Sequence, residues 1–185
     1  MSNETAARVR EPQNIAIRRA TPADSATFAE FGARTFFEAF AADNTPQDMA
    51  AHLASAWSPA LQDAELRDPL IDTLLAVESG GALAGFAQLR AQHGPACVRT
   101  LVPIELQRFY VDRPWQGRGL AGALMKEVER VARQRGAREL WLGVWERNLR
   151  AQAFYRKCGF EEVGTQVFVV GSDPQTDHVM LRELA

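Results

Sequence analysis

Residues 105–122 read ELQRFYVDRPWQGRGLAG. The first seven positions suit a strand. Leu106, Phe109 and Val111 are apolar, and their neighbours tolerate extended backbone. Asp112, Arg113 and Pro114 break the strand, and Gln116-Gly117-Arg118-Gly119-Leu120-Ala121-Gly122 then runs into a helical pattern. A strand, a glycine-containing turn and a helix N-terminus together make an anion site. The first amides of a helix have no internal partner, and the helix dipole favours negative charge there. Glycine lets the backbone approach a phosphate with no Cβ in the way. The spacing is neither the G-x-x-x-x-G-K-[ST] of a nucleotide loop nor a G-x-G-x-x-G opening a βαβ unit. The stretch therefore predicts a phosphorylated ligand of another kind, held by backbone amides.

Around this stretch lies a chain of 185 residues, enough for one well-filled domain. With 46% hydrophobic and 24% charged residues, it has the composition of a soluble globular protein. A formal charge of -2 offers no electrostatic pull on nucleic acid or an anionic membrane, so neither is expected as a partner. Cys97 and Cys158 form no C-x-x-C, and no histidine cluster accompanies them, so neither a disulfide framework nor a metal site is expected. No apolar run reaches membrane-spanning length, and residues 1–13 lack the apolar centre of a secretory signal. A cytoplasmic location is expected, with residues 1–13 as a flexible polar arm and 14–185 as a single domain.

The periodicity predicts the elements in order. Ile15–Arg18 is a strand, and Thr21-Pro22 caps a long helix that reaches Phe40. Gln47–Trp57 is a second helix, with a short helical turn at 61–66. Leu70–Val77 and Ala82–Leu89 form a hairpin around Gly80-Gly81. After the strand 104–111 comes a helix from Leu120 with Leu124, Val128 and Val131 on one face, ended by Gly136. Glu139–Val144 is a buried strand, and Asn148 caps a helix to Lys157. Phe160–Val170 is a strand, Gly171–Pro174 a turn and Asp177–Leu184 the last strand. The β-α-β-α-β alternation of the second half implies parallel pairing there.

Three segments now share one resemblance. Phe109-Tyr110-Val111 with the loop Gln116–Gly122 form the first. Glu139–Asn148 is the second, and AFYRKCGF at 153–160 the third. In this order they resemble the GNAT N-acetyltransferases, over about residues 15–184. The resemblance implies an α/β GNAT fold. Its central sheet is mixed, mostly antiparallel, of about seven strands and flanked by helices, with a splayed cleft between the fourth and fifth strands. It also implies acetyl-CoA as cosubstrate, bound by Phe109, Tyr110, Val111, Gln116, Gly117, Arg118, Gly119, Leu120, Ala121 and Gly122, and by Asn148 and Tyr155. Unpaired strand amides near Phe109 and Val111 would meet the thioester carbonyl and stabilise its oxyanion.

Asn148 and Tyr155 are seven apart on a helix and share a face. The resemblance puts Tyr155 at the coenzyme A sulfur, where a phenol with an ordinary pKa near ~10 can protonate the leaving thiolate. An amine acceptor must be neutral to attack. Glu105 matches the general-base position of some family members; the alternatives are a water relay, or a strand-end carboxylate in solvent or paired with an arginine such as Arg108. His52, His93 and His178 stand alone and are expected to be incidental. A narrower resemblance, to the bacterial spermine/spermidine N-acetyltransferase type, rests on LGVWERN at 142–148, on Phe168 with GSDPQTD at 171–177, and on Thr35–Phe40. It implies a polyamine acceptor near Phe37, Glu38 and Glu146, with Asp173 and Asp177 adding negative charge.

The expected activity is direct acetyl transfer from acetyl-CoA to a primary amine on a small molecule, by a monomer or homodimer. A protein or peptide amine is the other acceptor. A non-catalytic acyl-CoA-binding regulatory module is the alternative of a different class.

Overall fold

The computed structural model describes residues 15–99 and 101–184. Its elements are β1 (Ile15–Arg19), α1 (Ser25–Phe40), α2 (Pro46–Ala56), α3 (Pro59–Arg67), β2 (Ile71–Glu78), β3 (Leu83–Ala91), β4 (Ile104–Val111), α4 (Leu120–Gln134), β5 (Glu139–Trp145), α5 (Leu149–Lys157), β6 (Glu161–Val170) and β7 (Asp173–Glu183). The arm expected at residues 1–13 lies outside the described residues. Among these, no helix is long and apolar enough to cross a membrane.

The helix ends follow local chemistry. Thr45 and Ser58 each accept a hydrogen bond from an amide three residues on, and Pro46 and Pro59 occupy the first helical positions. That second cap makes a full helix of α3, where a single turn at 61–66 was expected. Gly136 and Gly159 adopt left-handed backbone after α4 and α5.

The seven strands form one sheet in the order β1-β2-β3-β4-β5-β7-β6. Every neighbouring pair is antiparallel except β4–β5. This corrects the parallel pairing expected throughout the β-α-β-α-β half: β5 and β6 are not neighbours, because β7 inserts between them. The last strand also starts at Asp173, earlier than the expected Asp177. Pro174 pairs with Val169 beyond Trp145↔Asp177, the last β5–β7 pair, so its missing N–H faces no strand.

The sheet is covered on both faces. On one, Leu124, Met125, Val128 and Val131 of α4 pack with Leu106, Leu140, Leu142, Val144 and Met180, joined by Tyr155 and Phe160. On the other, Phe28, Phe31, Phe36, Met49 and Trp57 of the α1–α3 layer pack on Leu75 and Phe86. Each fully buried side chain contributes about 1.5–3 kcal/mol relative to exposure. Trp57 is edge-on to Phe28 and to Phe86, both at 5.8 Å between centroids. The Arg108 guanidinium of β4 sits 4.4 Å over its ring, tying this layer to the strand that borders the cleft.

Trp57 also lies flat against Gly32 of α1, where a Cβ would fall 1.9 Å from its Cζ3. Gly32→Ala gains about 1 kcal/mol of helix propensity. It also forces an indole held on three sides to move, which costs roughly 1–3 kcal/mol or more. The expected result is a less stable protein, seen as a lower urea midpoint with an unchanged slope.

Candidate active site

β4 and β5 share a single register pair, Glu105↔Trp141, and part beyond it. The Asp112 amide donates to the Ala84 carbonyl on the β3 side at 2.9 Å. Strand alternation then turns the amides of Val111 and Phe109 toward the gap. The Val111 carbonyl, on that same side, is taken by the Gln116 side-chain amide at 2.9 Å. Arg150, in the first turn of α5, donates to Gln116 Oε1 at 2.6 Å and so ties the two helix starts together.

α4 begins after Gly119, which has a φ of 86° and offers no side-chain cap. Its first internal bond is from the Ala123 amide to the Gly119 carbonyl, 3.1 Å, leaving the amides of Leu120, Ala121 and Gly122 without a helical partner. Nothing lies within 4 Å of where a Cβ would stand at Gly117 or Gly122. These residues fit the pyrophosphate of coenzyme A: an open, amide-lined concavity with no acidic residue in the first turn of the helix. At the start of α5, Asn148 Oδ1 accepts from the Ala151 amide at 3.1 Å, leaving its Nδ2 for another partner.

Tyr155 is buried on the α4/α5 face. Its ring lies 5.5 Å from Phe154, 5.7 Å from Phe160 and 6.3 Å from Phe109. The phenol makes no hydrogen bond among the described residues. Burial pushes its pKa up, with Tyr110 adding to the effect, so it stays protonated.

The opposite face of the gap carries carboxylates. Register puts Glu105, Trp141, Gly143, Trp145, Asp177 and Gln166 on one side of the sheet. All of these but Trp145 line a cavity of about 460 Å³, together with Gln92, His93, Gln107 and Phe168. Glu105 is 8% exposed and accepts a short hydrogen bond from Gln92. It does not pair with Arg108, whose guanidinium goes to Glu65 at 2.7 Å. Burial raises the Glu105 carboxyl to about 7, and Asp177 adds to that. Burial likewise raises Asp177 to about 6.

The proposed acceptor contacts lie outside this cavity. Phe37 is half exposed, and Glu38 is already paired with Arg34 at 3.0 Å and Arg113 at 3.5 Å. Glu146 is exposed, and none of the three lines the cavity. Asp173 accepts from Gln175 at 2.9 Å; of the four acids considered, only Asp177 faces Glu105. Sequence reasoning missed Gln152, which clamps the turn before α5 by donating to the carbonyls of Trp145 and Glu146 at 3.1 and 2.8 Å. It also passed over Gly143, although a lone glycine inside ELWLGVW is a recognisable signal of close approach.

A thioester laid against β4 finds amides along one edge, a phosphate cradle beyond it and a buried phenol across from it. This is the architecture of an acyltransferase that uses a coenzyme A thioester. The chain belongs to the acetyltransferase (GNAT) family, whose profile matches residues 34–160, and is an N-acetyltransferase. An uncharacterized N-acetyltransferase of Mycobacterium tuberculosis is 34% identical over 164 residues, 87% of this chain and 98% of its own length. Aminoglycoside N(6')-acetyltransferase type 1 of Stenotrophomonas maltophilia is 31% identical over 153 residues, covering 82% and 90%. The fold is shared with PaiA N-acetyltransferase of Thermoplasma acidophilum, solved in complex with coenzyme A. The TM-score is 0.75 at 22% identity, over 92% of this chain and 99% of that one.

A raised carboxylate pKa means that the folded state holds its proton more tightly than the unfolded state. Stability is then full below the unfolded value near 4.5 and falls as pH rises through about 7. Glu105→Gln removes that loss. Its unfolding free energy is expected to exceed wild type by about 1–3 kcal/mol at pH 8, with the difference vanishing near pH 4. Denaturant titrations at the two pH values measure it.

Proposed function

We propose that this chain transfers an acetyl group directly from acetyl-CoA to a primary amine, with a small polyamine as acceptor. The observation that carries the reading is the parting of β4 from β5 after one register pair, which leaves strand amides facing a gap between a buried phenol and a buried carboxylate. Gln116–Gly122 would hold the pyrophosphate, Asn148 the pantetheine arm, and Phe109, Tyr110 and Val111 the acyl end. When bound, acetyl-CoA supplies an activated acetyl group as a thioester.

The amides of Phe109 and Val111 then stabilise negative charge developing on the carbonyl oxygen. Glu105 takes a proton from the acceptor ammonium, directly or through water, and so frees the neutral amine that attacks; a pKa of about 7 suits that task. Tyr155 gives its proton to the departing sulfur. Its raised pKa keeps the proton available throughout the neutral range. The likeness at 142–148 and 171–177 to the spermine/spermidine type favours a polyamine, as does a cavity whose described lining has two acids and no lysine or arginine.

Thiol release from acetyl-CoA is the assay, run on spermidine, diamines, monoamines and lysine peptides. Tyr155→Phe is expected to lower kcat by roughly 10²-fold or more, with coenzyme A affinity by calorimetry unchanged. In wild type, kcat/KM should rise with pH through an apparent value near 7, and Glu105→Gln should flatten that rise. Coenzyme A binding without turnover on any amine would instead indicate a binding module.

A further inference from the structure

Two carboxylates line the cavity on the α1–α3 face, and they are not equivalent. Glu105 has Gln92 as a donor. Asp177 is 7% exposed and makes no hydrogen bond or ion pair among the described residues. A buried carboxylate with no partner is costly and calls for a counter-charge. Of its strand neighbours, His178 supplies positive charge only when protonated. Gln166, opposite it on β6, does not bond to it, and His178 alternates to the other face and meets Glu162 at 2.9 Å. Nor, among the described residues, does the cavity lining contain a lysine or arginine.

The side-chain ends of Asp177 and Gln166 converge over Gly143, whose missing Cβ leaves room for them. A Cβ built there would stand 2.9 Å from Asp177 Oδ2 and 2.4 Å from Gln166 Nε2. In register, Glu105 is opposite Trp141, and Asp177 is opposite Trp145. Four residues of strand amount to about 13 Å, which the side chains shorten from both ends. One carboxylate is therefore at the closed vertex of the gap and the other toward its mouth. A single ammonium neutralises one of them; a chain with two cationic groups neutralises both. Trp141 and Phe168 in the lining offer aromatic surface to the methylenes between.

We infer that Asp177 is a specificity-determining residue: it holds a second, non-reacting ammonium of a di- or polycationic amine acceptor, from a position that the missing Cβ of Gly143 allows. The inference rests on the reading of this chain as an amine acetyltransferase and names its substrate class.

The test compares 1,5-diaminopentane with pentylamine, which has the same length and one charge. Wild type is expected to prefer the diamine at least tenfold in kcat/KM. Asp177→Asn should raise KM for the diamine at least tenfold with kcat within threefold, bringing it down to the monoamine. Gly143→Ala keeps the carboxylate but fills its space, and should shift KM the same way. Equal use of the two amines by wild type, or equal losses on both in Asp177→Asn, would overturn the assignment. Calorimetric titration of the diamine into coenzyme A-saturated protein reads Asp177 without turnover. Binding in wild type that is lost in Asp177→Asn supports the assignment even where no acetyl transfer occurs, an outcome that removes the acetyltransfer reading alone. Binding unaffected by the substitution, or absent from wild type, removes the role of Asp177.

Discussion

The structure depends on one failure of pairing. Two parallel neighbours normally exchange hydrogen bonds along their length, but β4 and β5 meet only at Glu105 and Trp141. Backbone amides left without a strand partner have to be satisfied by something else. Gln116 covers the Val111 carbonyl, and the amides of Phe109 and Val111 remain for a bound molecule. The separation holds because each strand is committed elsewhere. β4 is laddered to β3 through seven register pairs, and β5 is laddered to β7 through another seven.

A gap through a sheet joins its two faces, and here those faces have opposite chemistry. The α4/α5 side is aromatic and apolar and keeps Tyr155 neutral. The other side keeps two carboxylates, each raised by burial, against glutamines and tryptophan. A phenol and a carboxylate held on opposite faces of the sheet cannot neutralise one another, which is what the proposed proton transfers require. The arrangement costs stability, because carboxylates whose burial outweighs nearby positive charge oppose folding at neutral pH. Sites of this kind commonly trade stability for chemistry.

Local chemistry was legible wherever a short motif is sufficient. The Gly119 turn, the Asn148 cap, the Gly136 and Gly159 stops and the strand Ile104–Val111 all sit where residue type and spacing put them. Helix α3 was underestimated because a weakly apolar segment gives little periodicity, and its Ser58 cap was the better signal. Phe37, Glu38 and Glu146 were grouped as one acceptor site by resemblance. In the fold Arg34 and Arg113 pair with Glu38, and Glu146 faces solvent.

By itself, the sequence determined the order of elements, the amide-lined start of α4 and the phenol seven residues after Asn148. Each of these is encoded within a few turns of chain. Only the tertiary structure decided that β7 enters between β5 and β6, and therefore that Asp177 comes to share a cavity with Glu105 from 72 positions away. Strand neighbours are chosen by which ladders and faces can be satisfied together across the whole sheet. No spacing within a segment records that choice.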